Sequence, residues 1–125
     1  MWDRLYQHLR PLFQAPEQIL HHIEDGTTVL DLGCGYGDLC HALVTQKLGC
    51  HATGIDHDIH KIQVAQSRYG HHPNLHFETS DLHHLKPVDQ QIVLIIDVLH
   101  YFESTVQMDC LKKLATSPSV QKIIV

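Results

Sequence analysis

Short apolar runs alternate with segments of helical spacing along this chain of 125 residues. Runs that are short, rich in β-branched residues and bounded by turn residues predict strands. Between these runs, apolar residues recur every three or four positions, which predicts amphipathic helices. The predicted strands cover residues 28–32, 51–55, 75–79, 92–96 and 120–125. The predicted helices between them cover residues 38–48 and 59–69, and Ser104 is expected to cap another.

The order of these elements predicts the fold class. Strands and helices that alternate at these lengths require right-handed crossovers and form a parallel sheet with helices on both faces. The run 92–96 is continuously apolar, which indicates a central strand. The prediction is therefore a doubly wound α/β domain over residues 28–125, with ligands beyond the carboxyl ends of its strands. Two helices before it are expected to form a cap over residues 1–27 that covers the ligand.

The most informative segment follows the first predicted strand. Residues 28–37 read TVLDLGCGYG, an apolar run that ends in an acid and turns through three alternating glycines. Such glycines let the backbone lie against a ligand where a Cβ would collide, and such loops hold nucleotide-like cofactors. The glycine spacing differs from the dinucleotide fingerprint G-x-G-x-x-G, and the carboxylate of Asp31 suits a cationic ligand better than a pyrophosphate. A plain chain reversal and a dinucleotide site both remain open from this loop alone.

Composition excludes several function classes. The formal charge is −5 and the cations are scattered, so no basic face is predicted for nucleic acid. No apolar run approaches the length of a membrane-spanning helix and the first residues lack a signal-peptide core, so a cytoplasmic protein is expected. The four cysteines form no C-x-x-C pair and are expected to be reduced. The thirteen histidines occur partly as adjacent pairs whose side chains diverge, so no metal site is predicted.

The string from the first strand into the glycines resembles the first motif of the class I S-adenosylmethionine-dependent methyltransferases. That motif is an acid, one residue, and then G-x-G-x-G, and four positions match it. The matching residues are Asp31, Gly33, Gly35 and Gly37, with Cys34 between the first two glycines. The resemblance implies a Rossmann-like domain that binds S-adenosylmethionine and transfers its methyl group.

The end of the second predicted strand carries the next candidate residues. Asp56 lies where a carboxylate can accept both hydroxyls of a ribose, although a helix N-cap is the alternative. The resemblance continues here, because the family places its ribose-binding acid in a string like this GID. The family often has an apolar side chain next, against the adenine, and His57 stands there instead.

The string TSDL follows the third predicted strand. By resemblance, Asp81 accepts from the adenine amine and the backbone of Leu82 meets the adenine ring, with Ser80 beside them. A turn that uses Asp81 only for its local hydrogen bonds is the alternative.

The fourth predicted strand leads into the string DVLHYF. The resemblance places Asp97 and Val98 beside the methionine part of the cofactor. His100 is the nearest candidate base if the methyl acceptor must lose a proton, since its pKa range suits neutral pH.

Missing motifs and chain length bear on the acceptor and on turnover. The sequence has no N-P-P-[YF] string and no Pro-Cys pair near the fourth strand, so a small-molecule or lipid-like acceptor is expected, as in a broad bacterial group of such enzymes. Family members usually carry two more strands after the fifth, so a C-terminally short form is expected: a fragment, a natural truncation, or a chain that forms a homodimer or swaps through its fifth-strand edge. Two alternatives stay open: a non-catalytic module for S-adenosylmethionine or S-adenosylhomocysteine that needs a partner or a C-terminal segment, and a nicotinamide-dependent Rossmann protein.

Overall fold

A computed structural model describes residues 16–80, 82–96 and 102–125. In this part of the chain, parallel strands form one sheet in the order β3-β2-β1-β4-β5. The strands are β1 Thr28–Leu32, β2 His51–Asp56, β3 Leu75–Thr79, β4 Ile92–Leu94 and β5 Lys122–Ile124. The predicted doubly wound α/β fold is confirmed, and the strand order reverses between β1 and β4.

The helices follow the predicted order with some changes at their ends. They are α1 Pro16–Leu20, α2 Asp38–Gln46, α3 Ile59–Tyr69 and α4 Ser104–Ala115, with a 3-10 turn at Leu82–His84. The 3-10 turn was not predicted. The prediction that Ser104 caps α4 is wrong, because Glu103 occupies the extended N-cap position and Ser104 already lies in the helix. None of the helices in the described ranges is long and apolar enough to cross a membrane.

Strand pairing fixes which side chains share a face of the sheet. In β1, Val29 and Asp31 face the layer of α2 and α3, whereas Leu30 and Leu32 face the layer of α4. Asp31 lies opposite Gly54 on β2 and opposite Leu94 on β4. A carboxylate therefore lies between two strands, on the face that is otherwise filled by apolar side chains.

Two buried clusters fill the faces of the sheet. The cluster under α2 and α3 includes Leu43 and Ile62 and also takes side chains from α1 and the segment after it. The cluster under α4 includes Val93 and Leu114. Apolar area buried in this way supplies most of the favourable free energy of folding, at about 25 cal/mol per Å². The strands whose ends border the glycine loop are thus packed by apolar side chains on both faces.

Candidate functional site

The glycine loop, residues 33–37, joins the end of β1 to α2 at the point where the strand order reverses. The backbone N–H groups of Gly33 and Cys34 donate to the carbonyl oxygen of Ile55 at 2.7 and 2.9 Å. The N–H of Gly37 donates to the carbonyl oxygen of Cys34, and that of Gly35 donates to Oδ2 of Asp56 at 2.9 Å. These four amides are engaged within the chain, whereas a phosphate-binding loop points its amides at the ligand.

Two glycines allow the loop and the sheet to approach each other closely. Gly37 has φ of +86°, and a Cβ there would lie 2.8 Å from the ring of Phe77. Gly54 lies within β2, and a Cβ there would lie 2.8 Å from Sγ of Cys34. A side chain at Gly54 would push the loop away from β2, and one at Gly37 would displace the ring of Phe77 on β3. The sequence prediction included Gly37 but missed Gly54, although a glycine inside a strand is a known signal of close backbone approach.

Asp56 holds the loop from the end of β2. It is 7% exposed, and Oδ1 accepts from the N–H of Asp58 at 2.9 Å while Oδ2 accepts from Gly35. The helix-cap alternative for Asp56 is wrong, because the side chain of Asp58 caps α3 by accepting from His60 and Lys61. A carboxylate has about four acceptor positions, so two remain for a ligand hydroxyl.

His57 follows Asp56 at the mouth of the site. Its side chain is 76% exposed, and its Nδ1 lies 3.5 Å from Oδ1 of Asp56. The ring is therefore free to meet a ligand and also lies within reach of the carboxylate.

Asp31 is the second buried carboxylate at this edge of the sheet. It is 3% exposed, and Sγ of Cys40 donates to its Oδ2 at 3.4 Å. Burial raises the pKa of Asp31 to about 6; the hydrogen bond from Cys40 opposes this shift, and the nearby carboxylate of Asp56 adds to it. At neutral pH the chain thus keeps an ionised carboxylate in a poorly solvated place, which a cationic ligand would stabilise.

The thiols near these acids are neutral. Burial raises the pKa of Cys34 above its usual range, and the carboxylates of Asp31 and Asp56 raise it further. Burial and then Asp31 likewise raise the pKa of Cys40. Because the thiolate is the nucleophilic form, neither residue is suited to covalent catalysis near neutral pH. All four cysteines are free, as predicted.

The remaining predicted site residues fall into two groups. The N–H of Ser80 donates to the carbonyl oxygen of Asp56 at 3.0 Å, but Ser80 itself lines a groove of about 200 Å³ on the opposite face of the sheet. Leu82 begins the 3-10 turn. The predictions for Asp81, Asp97, Val98 and His100 lie outside the described residues.

Two further observations concern what the sequence missed and what the site lacks. Sequence reasoning did not connect Cys40 with Asp31, because no motif marks a thiol in α2 as a partner of a strand residue. Across residues 16–80, 82–96 and 102–125, no group of three or more His, Cys, Asp or Glu side chains is arranged to hold a metal ion.

Residues 23–122 match a family model described as a methyltransferase domain. The chain belongs to this family of methyltransferase domains. S-adenosylmethionine, the cofactor predicted from the sequence, is the one that the family assignment indicates. A search of curated proteins finds no significant match.

Solved structures share the fold. Coclaurine N-methyltransferase bound to N-methylheliamine and S-adenosylhomocysteine has a TM-score of 0.72 and 22% identity, over 87% of this chain and 34% of that one. A TehB-like S-adenosylmethionine-dependent methyltransferase from Corynebacterium glutamicum has a TM-score of 0.71 and 18% identity, over 98% of this chain and 69% of that one. A candidate methyltransferase in complex with a methyltransferase activator from Haloferax volcanii has a TM-score of 0.70 and 23% identity, over 89% of this chain and 50% of that one.

At these identities the similarity shows the fold alone. The chain spans 34% of the length of the coclaurine enzyme and 50% of that of the Haloferax chain. Half or more of each of those two chains therefore has no counterpart in this one.

Proposed function

We propose that this chain binds S-adenosylmethionine at the carboxyl ends of β1 and β2 and transfers its methyl group to a small-molecule or lipid-like acceptor. The observation that carries the proposal is a glycine loop in which four of the five backbone amides are already engaged, bordered by two buried carboxylates, Asp31 and Asp56. Such a site disfavours phosphates and favours a ligand with cationic groups and hydroxyls. S-adenosylmethionine has an ammonium, a sulfonium and a ribose.

Each proposed contact follows from chemistry and position. Asp56 has two acceptor positions left for the ribose hydroxyls, and Asp31 faces a cationic group of the ligand. The three loop glycines let the backbone lie against the ligand, and the exposed ring of His57 covers the adenine. The other proposed contacts are Cys34 through its backbone, Ser80, Asp81 and Leu82 near the adenine, and Asp97 and Val98 near the methionine part.

Methyl transfer from a sulfonium requires the protein mainly to orient the methyl donor and the acceptor. The sulfonium supplies a methyl group that is already electrophilic, so alignment of the acceptor and exclusion of water account for much of the rate, up to about 10 kcal/mol in favourable cases. The proposed base for an acceptor that must lose a proton is His100. A cytoplasmic setting, a bacterial type and a helical cap over residues 1–27 belong to the same proposal.

A second candidate function is a module that binds S-adenosylmethionine or S-adenosylhomocysteine without turnover unless a partner or a C-terminal segment is present. It is favoured by one of the structures above, in which a methyltransferase is in complex with an activator. Formation of S-adenosylhomocysteine by the chain alone, with a panel of small acceptors, would favour the enzyme over the module.

Binding of S-adenosylmethionine is the direct test of the site. Calorimetric titration is expected to show binding of S-adenosylmethionine and S-adenosylhomocysteine but not of nicotinamide dinucleotides. Asp56→Ala is expected to weaken binding at least about 30-fold, because the variant loses both the ribose acceptor and the anchor of Gly35.

Asp58→Ala is the matched control, since Asp58 is the next acid along the chain and caps α3 through its side chain. It is expected to cost about 1 kcal/mol of stability and to leave the affinity within about threefold. Equal binding of a nicotinamide dinucleotide, or full affinity in Asp56→Ala, would contradict the proposal.

We also propose that two copies pair through the open edge of β5. Among the described residues this strand pairs only with β4, and unpaired strand edges favour association with another strand. Sedimentation equilibrium is expected to show a dimer that Ile123→Pro disrupts, because proline removes a backbone donor from the strand. Circular dichroism of the variant controls for folding. A wild-type chain that stays monomeric at high concentration would contradict this assignment.

A further inference from the structure

A thiol lies against the buried carboxylate of the candidate site. Cys40 is the third residue of α2 and is 1% exposed. Its Sγ donates to Oδ2 of Asp31 at 3.4 Å. The contact joins the helix that follows the glycine loop to the strand that precedes it. The two ends of the loop are therefore linked through one side-chain hydrogen bond, next to the place proposed for the ligand.

We propose that Cys40 is a positioning residue of the S-adenosylmethionine site: its thiol holds Asp31 by Oδ2, favours the ionised carboxylate, and so lowers the pH at which cofactor affinity falls. The inference rests on the function proposed above, because it concerns the same ligand. It assigns a role to a residue that lies outside the glycine motif.

The groups around Asp31 explain why the thiol of Cys40 affects the ionisation of this carboxyl group. Among the described residues, the groups that face Asp31 from the elements packed against it are Cys40 on α2, Cys34 in the loop, Asp56 on β2 and Leu94 on β4. Leu94 offers no hydrogen bond from its side chain, Cys34 is a neutral thiol, and the negative charge of Asp56 disfavours a second one. Burial also acts against ionisation. The donor of Cys40 opposes both effects.

A thiol suits this task because it is a weak donor. A buried cysteine packs as a small apolar residue and needs no further hydrogen-bond partner. It stabilises the anion in part and leaves the other lone pairs of the carboxylate for a ligand. A stronger fixed partner, such as an arginine, would compete with the cationic cofactor for the same charge.

The expected consequence is a cofactor affinity that depends on pH. A cation pairs with the ionised form of Asp31, and the pKa of this residue is about 6. Affinity is therefore expected to rise with pH through this value and then to level off, so that binding at pH 5 is about tenfold weaker than at pH 7.5. Loss of the thiol donor is expected to move the midpoint of this profile upward by about half a pH unit.

The test compares Cys40→Ala and Cys40→Ser with the wild-type chain. Affinity for S-adenosylmethionine is measured by calorimetry from pH 5 to 8, and the carboxyl carbon of Asp31 is titrated by NMR in the free chain. Both variants lose the packing of the sulfur, but only Cys40→Ser keeps a donor. Cys110→Ala is the control, because Cys110 is buried in the cluster under α4 on the other face of the sheet.

The proposal expects the midpoint of Cys40→Ala to move upward, that of Cys40→Ser to stay at or below the wild-type value, and that of Cys110→Ala to stay unchanged. Equal shifts in Cys40→Ala and Cys40→Ser, or no shift in either, would overturn the role of Cys40 while wild-type binding upheld the function. If the wild-type chain binds no S-adenosylmethionine at any pH, the proposed function fails and this role fails with it. The NMR titration then shows separately whether the thiol still governs Asp31.

Discussion

Replacing Asp31 by asparagine is expected to stabilise the chain at neutral pH while removing most of its affinity for S-adenosylmethionine. The pKa of Asp31 rises from 3.8 to about 6 on folding, chiefly because the carboxyl group is buried. The native state therefore binds a proton more tightly than the unfolded chain does. The contribution of this group to stability is fully present below pH 3.8 and is lost as pH rises through about 6.

The size of this loss of stability follows from the shift in the pKa of Asp31. Each pKa unit corresponds to about 1.4 kcal/mol, so the ionised carboxylate costs on the order of 3 kcal/mol at pH 7.5. The side-chain amide of the variant is neutral at every pH and avoids that cost. Urea unfolding of Asp31→Asn is thus expected to show higher stability than the wild-type chain above pH 6, with the difference shrinking as pH falls towards 4.

Cofactor binding is expected to change in the opposite direction. A cation that pairs with a buried carboxylate typically contributes about 2 kcal/mol or more, so calorimetry is expected to show at least about a 30-fold loss of affinity in the variant. Asp109→Asn on α4 is the control, because Asp109 is exposed and its replacement should change neither quantity. A variant that is less stable than wild type at pH 7.5, or that binds the cofactor equally well, would refute this account of Asp31.

The carboxylate of Asp31 is thus expected to destabilise the free chain and to favour binding of a cationic ligand. A buried position of this kind is most stable with an apolar side chain, as at the neighbouring positions Val29 and Leu94. Asp31 instead carries a charge near the carboxylate of Asp56, which disfavours ionisation of Asp31, and the proposed cation would oppose that effect. Local rules of packing are expected to fail at functional sites, and among the described residues the buried charges are Asp31 and Asp56.

The sequence was sufficient for the fold because its signals were local. The pattern of short apolar runs identified each strand of the sheet, and the glycines after β1 marked the edge where the site lies. Strand lengths were less well predicted. The fourth and fifth strands were expected over 92–96 and 120–125, but they pair only through 92–94 and 122–124. Beyond these ranges the N–H of Ile95 still donates to the carbonyl oxygen of Ile124 at 2.8 Å, whereas Gln121 and Val125 are exposed.

The hydrogen-bond partners of Asp31 and Asp56 could not be predicted from the sequence, because these are contacts between residues far apart in the chain. Nothing in the string around Cys40 shows that its thiol reaches Asp31, nine positions earlier. The sequence offered a helix N-cap as the alternative role of Asp56, and only the structure assigns the cap to Asp58. That assignment leaves Asp56 to hold the loop.

The close approach of loop and sheet at Gly37 gives the other large expected effect. Gly37→Ala is expected to destabilise the chain by about 3 kcal/mol, from two sources. An alanine in the left-handed region costs about 1 kcal/mol, and forcing a methyl group into a filled space costs roughly a further 1–3 kcal/mol. The added Cβ would lie 2.8 Å from the ring of Phe77 and 3.1 Å from Cβ of Ala65, and φ at this position is +86°.

Gly26→Ala separates these two sources, because Gly26 also has a positive φ, of +76°, but has open space where the Cβ would lie. Urea unfolding is expected to show a loss of about 1 kcal/mol for Gly26→Ala against about 3 for Gly37→Ala. In the double variant Gly37→Ala/Phe77→Leu, the smaller side chain removes the ring contact, so the two changes together should cost less than the sum of each alone. Strict additivity of the two changes, or equal losses in the two alanine variants, would show that the contact with Phe77 does not govern the loop. Gly37 is the N-cap of α2 and has left-handed backbone, so the positions of Asp38 and Cys40 at the start of this helix are expected to depend on a glycine at residue 37.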